Sequence, residues 1–132
     1  ADDIYDRPAT TFVATLVGAP RINLLPARRE DGMVQITDSH LHIPAPHGGQ
    51  LPAELQVGIR PEDVRPAEGG AFTGEVALTE PLGVETIVHI RSGRQTMLSL
   101  VPGMTHLRLG DPVQFNLAPE RLHFFDRAGK RV

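Results

Sequence analysis

Short segments of alternating apolar and polar residues, separated by proline and glycine, fill this chain of 132 residues from Ile22 onward. Residues 55–59 and 113–117 show the pattern most clearly. Alternation with a period of two places every second side chain on the same face of a strand. The 12 prolines fall mainly at the ends of these segments, where a missing N–H donor is tolerated. The sequence therefore predicts about eight or nine short strands in a small sandwich or barrel.

Turn residues and the phase of alternation predict how the strands connect. Glu30-Asp31-Gly32 predicts a hairpin turn between residues 24–28 and 33–37, and glycine marks further turns at 68–70 and 92–93. The residues predicted to share strand faces are Val76 with Leu78, Thr86 with Val88 and Ile90, Leu98 with Leu100, Val113 with Phe115 and Leu117, and Leu122 with Phe124. We expect the two leucines of the pair at 98 and 100 to face the core.

The first twenty residues follow a helical rather than an alternating period. Their apolar stripe consists of Phe12, Val13, Leu16 and Val17. Pro8 suits the first turn of a helix, which leaves its N–H groups unpaired, and Gly18 with Pro20 predicts the end. A single amphipathic helix ahead of a body of strands must bury its stripe against another surface, such as a preceding domain.

Composition excludes several classes of protein. The chain has no cysteine, which excludes disulfides, thiolate metal sites and thiol catalysis, and fits a reducing compartment. No apolar run approaches the ~20 residues that span a bilayer, and the acidic start Ala1-Asp2-Asp3 does not suit a secretory signal. A net charge of −3, dispersed arginines and an aromatic content of 5% do not fit a polynucleotide-binding surface.

Motifs for catalysis and metal binding are sparse. Lys130 is the only lysine, so a phosphate-binding loop of the Walker type is excluded. No Gly-x-Ser-x-Gly elbow surrounds a serine. His40 and His42, with His47 nearby, could share a zinc ion on one strand face, although surface histidines beside a loop explain the same pattern. We therefore predict no catalytic residue, no cofactor site and no metal site, and assign these histidines no role.

Two charged turns could carry function or only define the fold. Glu80 and Glu85 flank one turn and could present paired carboxylates, although acids at turns are more often solvated or ion-paired. Pro61 holds Arg60 in extended geometry, so its guanidinium could form a bidentate pair locally or with a partner. A charged turn that caps a short helix over residues 62–65 explains the same sequence equally well.

Five short segments carry a family resemblance in their order and spacing. They are VGIRPEDV at residues 57–64, LGVET at 82–86, PERLHFFD at 119–126, IYDRPATTFVA at 4–14 and VGAPRIN at 17–23. Together they resemble the C-terminal part of the ATP-binding subunits of ABC importers for sugars, polyols or glycerol-3-phosphate. The resemblance implies that residues 1–20 are the helical tail of the preceding ATPase domain. Residues 21–132 would form a transport-associated OB-type (TOBE) β-barrel regulatory domain.

By this resemblance, the domain is a non-catalytic regulatory and dimerisation module that holds the ATPase dimer together through the transport cycle. The residues expected to define its interface or its turns are Gly58, Arg60, Pro61, Glu62, Gly83, Glu85, Phe125 and Asp126, with the two glycines supplying backbone freedom. The fragment would bind no cofactor, whereas its full-length parent would be a transport ATPase using ATP and Mg²⁺. The parent would meet transmembrane permease subunits at the cytoplasmic face of the membrane.

An alternative function is a small-ligand module that senses an oxyanion or a sugar. Related OB-type transport domains hold oxyanions, and such sites use clustered backbone N–H groups with hydroxyl or basic side chains. The residues that could form such a nest are Ser92, Gly93, Arg94 and Thr96. The imported solute cannot be read from the sequence, since other subunits of these transporters select it.

Overall fold

The computed structural model describes residues 21–46 and 51–132, so the helix predicted over residues 1–20 lies outside the described residues, as does His47. The described residues form ten strands and two single-turn 3₁₀ helices. The strands are β1 (Asn23–Glu30), β2 (Met33–Ile36), β3 (His42–Pro44), β4 (Glu54–Ile59), β5 (Val64–Pro66), β6 (Phe72–Pro81), β7 (Glu85–Ser92), β8 (Gln95–Pro102), β9 (Pro112–Leu117) and β10 (His123–Phe125). The 3₁₀ helices are Pro61–Asp63 and Pro119–Arg121.

The strands form two antiparallel five-stranded sheets. Their orders are β10-β4-β1-β2-β3 and β5-β9-β6-β7-β8. Both sheets contribute to one apolar core, in which Val57 and Ile36 from the first sheet join Val88 and Phe115 from the second. These side chains lie on the alternating positions that the period-two pattern assigns to one strand face. The prediction of a mainly β, barrel-like domain is confirmed.

An asparagine side chain joins the two sheets where β1 begins. The Nδ2 amide of Asn23 donates to the carbonyl of Leu98 at 2.9 Å, and the Leu98 N–H donates to Asn23 Oδ1 at 2.7 Å. A carboxamide carries both a donor and an acceptor, so it can pair with a strand residue as another strand would. Asn23 therefore helps to close the barrel between β1 and β8.

The hairpin turn predicted at Glu30-Asp31-Gly32 is confirmed, although Glu30 still belongs to β1. Strand β1 pairs with β2 up to Glu30 and Met33, which leaves a two-residue loop. Both loop residues have positive φ, 48° at Asp31 and 77° at Gly32. Two central residues with positive φ characterise the type I′ turn, whose twist matches that of the flanking strands. This turn sets the register of the first sheet.

Two predicted strand faces are wrong. Val76 is buried, but a register shift between Val76 and Leu78 turns the second residue outward, where 44% of it is exposed. An extra residue in one strand reverses the alternation beyond it. In β8, Met97 and Ser99 face the core, because they pair with the inward-facing Ile90 and Val88 of β7. Leu98 and Leu100 consequently lie half-buried on the other face.

A buried hydroxyl explains why alternation failed in β8. Ser99 is fully buried, and its Oγ donates to the Val64 carbonyl at 2.5 Å. A buried hydroxyl is tolerated when it is hydrogen-bonded, yet hydrophobicity alone assigns a serine to the solvent side. The three-residue strand β5, to which Val64 belongs, was also not predicted, because the sequence there suggested a short helix.

Candidate functional site

The turn that follows β4 is built around two buried charged residues. Arg60 is 3% exposed and Asp63 is 6% exposed. Pro61 opens a 3₁₀ helix that ends at Asp63, whose N–H donates to the Arg60 carbonyl at 2.9 Å. The helix predicted over residues 62–65 is therefore a shorter turn, displaced by one residue, and the chain enters β5 at Val64.

Burial also sets the electrostatics of this turn. Burial raises the pKa of the Asp63 carboxyl above its ordinary value, and the nearby Glu62 carboxylate raises it further. The positive charges of Arg121, Arg65 and Arg60 act in the opposite direction. Arg65 Nη2 lies 3.4 Å from Asp63 Oδ1. The described contacts of Asp63 are thus internal, which fits a turn-defining role.

A small apolar cluster lies against β4, the strand that precedes this turn. Ile22 and Phe125 are buried together, with Leu24 packed on them. A Cβ at Gly58 would lie 3.0 Å from the Phe125 ring. Gly58 does not adopt positive φ, so this position needs space rather than the backbone freedom we expected. Gly83 does adopt positive φ, +96°.

The remaining predicted residues divide between the two sheets. Asp126 follows β10, and its Oδ1 accepts the Lys130 N–H at 2.8 Å. Glu85 begins β7 in the other sheet, and its carbonyl accepts the Leu82 N–H at 2.7 Å. Arg60 and Phe125 are buried in the fold, whereas Glu62 is exposed. The interface roles of Arg60, Glu62 and Phe125 stay predictions.

The alternative candidates are drawn into internal contacts. The Ser92 hydroxyl accepts the His40 N–H at 3.1 Å, and the Arg94 N–H donates to the Asp38 carbonyl at 2.8 Å. These groups are therefore not presented together as an anion nest. Glu80 Oε1 lies 2.5 Å from His89 Nε2 on the neighbouring strand, so Glu80 pairs with a histidine rather than with Glu85.

Metal ligands do not converge in the described part of the chain. Within residues 21–46 and 51–132, no three histidine or acidic side chains are grouped so that they could hold a metal ion. His40 and His42 are both exposed.

None of the helices in the described part of the chain is long and apolar enough to cross a membrane.

The structure adds a cavity that the sequence did not indicate. It has a volume of about 810 Å³ and opens between the sheets, a size within the range of small-molecule sites. Phe72, Leu122 and Phe124 form apolar walls, and Arg65 and Asn116 contribute polar groups. Sequence reasoning could not find this cavity because its walls come from strands that are distant along the chain.

Comparisons with known proteins agree with this geometry. The model of the TOBE domain family matches residues 57–125, and that of the MalK OB fold domain matches residues 18–64. Three similar proteins are named sn-glycerol-3-phosphate import ATP-binding protein UgpC. The protein from Ruegeria sp. is 37% identical, that from Cupriavidus pinatubonensis 32% and that from Cereibacter sphaeroides 37%. Each alignment covers 98% of this chain, but the chain spans only 37–40% of each relative's length.

Proposed function

The chain belongs to the TOBE domain family, and from this premise we propose that it is the non-catalytic regulatory and dimerisation domain of an ABC importer's ATP-binding subunit. One observation carries the proposal. Relatives named as import ATP-binding proteins align with 98% of the chain, while the chain spans about two fifths of their length. That relation is expected of one domain within a larger ATPase.

The wider assignments follow from the same proposal. The parent subunit would bind ATP and Mg²⁺ in its ATPase domain, outside residues 21–132. It would import a sugar, a polyol or glycerol-3-phosphate, the last being the solute in the relatives' names. Transmembrane permease subunits would hold it at the cytoplasmic face of the membrane. Within this domain, the internal bonding of Asp63 and Ser99 supports a structural role rather than a catalytic one.

Sedimentation equilibrium of this 132-residue chain tests the dimerisation role. We expect reversible self-association with a Kd on the order of 1 mM or tighter, which corresponds to about −4 kcal/mol. Nucleotide is not required in this experiment, because the contact is proposed to lie within the domain. A strictly monomeric chain at millimolar concentration would contradict the proposal.

A second candidate function, sensing of a small ligand, rests on the cavity of about 810 Å³ between the sheets. The nest predicted from Ser92, Gly93, Arg94 and Thr96 does not support it, because the Ser92 hydroxyl and the Arg94 N–H already bond to residues 38–40. Calorimetric titration of the same sample with glycerol-3-phosphate and with molybdate separates the two functions. A flat titration agrees with the dimerisation role, whereas saturable heat that Phe72→Asp removes would favour ligand sensing.

A further inference from the structure

Two aspartates adopt a backbone conformation that residues other than glycine usually avoid. Among the described residues, positive φ outside glycine occurs at Asp31, with φ of 48°, and at Asp38, with φ of 57°. Both aspartates are exposed, and each precedes a small residue, Gly32 or Ser39. Such backbone outliers are uncommon and ask for a chemical explanation. An aspartate before a small residue is also a place where the next backbone nitrogen can attack the side-chain carboxyl.

At Asp31 this attack would close a five-membered imide ring. The new bond joins the Gly32 nitrogen to Asp31 Cγ, and a carboxyl oxygen leaves as water with the amide proton and the carboxyl proton. Water then opens the ring at one of its two carbonyls. Opening at the side-chain carbonyl restores aspartate, whereas opening at the main-chain carbonyl gives isoaspartate. The net change adds one methylene to the main chain, leaves the mass unchanged and needs no co-reactant but water.

The type I′ turn between β1 and β2 lies close to the geometry that the ring requires. Ring closure eclipses Asp31 Cβ with the Gly32 nitrogen, which for an L-residue means ψ of about −120°, the value at the first central residue of a type II′ turn. Both turn types have positive φ at that residue, and they interconvert by a flip of the peptide between the two central residues. Gly32 permits the flip, since glycine adopts either sign of φ.

The peptide that must flip is not held in place by the described part of the chain. No described group forms a hydrogen bond with the Asp31 carbonyl or the Gly32 N–H. The Gly32 carbonyl, which accepts the Ala45 N–H at 3.0 Å, belongs to the next peptide and keeps its bond during the flip. A Cβ at Gly32 would meet no atom within 4 Å, so the space is open to the flip and to water.

The corresponding peptide after Asp38 is held at both ends. The Asp38 carbonyl accepts the Arg94 N–H at 2.8 Å, and the Ser39 N–H donates to the Ile36 carbonyl at 3.2 Å. A flip there would break both hydrogen bonds, each of which stabilises the observed conformation. The two aspartates therefore share their conformation and exposure but differ in the freedom of the peptide that follows.

We propose that Asp31 is a site of spontaneous isomerisation to isoaspartate in the folded domain. The lengthened main chain no longer fits a two-residue type I′ turn, so the modified domain unfolds at a lower temperature. The product carries a free α-carboxylate at residue 31, the group on which isoaspartyl methyltransferases act. This inference does not depend on the proposed dimerisation function.

Incubation of the folded chain near neutral pH tests the site, with the same chain unfolded in urea as the reference. Peptide mapping with electron-transfer fragmentation distinguishes isoaspartate from aspartate at equal mass. We expect folding to slow isomerisation at Asp38 by at least about tenfold and at Asp31 by clearly less, because only the first flip breaks two hydrogen bonds. Equal suppression at the two positions, or no isoaspartate at Asp31 in the folded chain, would overturn the proposal.

Two variants serve as controls. Asp31→Asn reaches the same imide with ammonia as the leaving group, so the folded variant should give isoaspartate and aspartate at residue 31. Asp31→Glu would need a six-membered ring, which closes far more slowly, so it should remain unmodified and keep its initial unfolding temperature throughout the incubation. The unmodified chain should develop a second, lower unfolding transition as isoaspartate accumulates. A modified chain that unfolds at the original temperature would contradict the effect on the turn.

Discussion

Truncation of Phe115 to alanine is expected to lower the free energy of unfolding by about 3–5 kcal/mol. Phe115 is fully buried in β9, an interior strand of the second sheet, and its ring stacks on Phe72 with centroids 5.7 Å apart. Removing the ring leaves a cavity in the core that both sheets share, and the strands on either side of β9 limit how far it can collapse. Chemical denaturation of the chain, followed by circular dichroism, measures the change.

Val132→Ala is the control for this truncation. Val132 is 48% exposed, so shortening it should change the unfolding free energy by less than about 0.5 kcal/mol. Equal effects of the two variants would show that β9 does not lie at the centre of the core. That result would contradict the two-sheet arrangement itself.

Replacement of Gly93 by alanine is expected to cost more than about 2 kcal/mol of stability, because strain and steric overlap add at this position. Gly93 lies in the turn between β7 and β8 with φ of +60°. A Cβ there would overlap the carbonyl oxygen of Asp38 and lie 3.0 Å from the Ser39 Cα. Both neighbours are backbone atoms, which cannot swing aside as a flexible side chain can.

Gly103→Ala separates the strain of left-handed backbone from the steric overlap of the added Cβ. Gly103 has a similar φ of +70°, but a Cβ there meets no atom within 4 Å. This variant should lose only about 1–2 kcal/mol, the cost of left-handed backbone for an alanine. Thermal or urea unfolding of both variants makes the comparison. If the two losses are equal, the close packing of the β7–β8 turn against residues 38–39 is incorrect.

Alternation and turn chemistry carried most of the fold prediction. Strands β4 and β9 follow the period-two pattern. The turn at Asp31 and Gly32 requires positive φ at both positions, which Asp and Gly tolerate. The failures have causes that a hydrophobicity pattern does not record. A register shift within the β6–β7 hairpin reversed the face of Leu78. In β8, the buried Ser99 bonds to Val64, which is distant along the chain, and this contact shifted the apparent phase of the strand.

The candidate site was predicted less completely than the fold. Proline and glycine identified the turns at Pro61 and Gly83, because these residues restrict or widen the backbone choices locally. Burial of Arg60 could not be predicted, since a charged side chain is buried only where the folded chain supplies partners. The exposure of Val84 and Met104 could not be predicted either. Alternation shows which face of a strand a residue occupies, but not whether another segment covers that face.

The central claim is that this domain keeps the two ATPase subunits together. Its most direct test is to measure the distance between the two copies of the domain during the ATPase cycle. The chain has no cysteine, so Thr96→Cys would give this domain a single thiol for spin labelling in the full-length subunit. Pulsed electron paramagnetic resonance should give one narrow distance that stays the same with and without ATP, while labels on the ATPase domains move. A distance in this domain that changes with nucleotide, or no dipolar coupling at all, would contradict a domain that keeps the two subunits together.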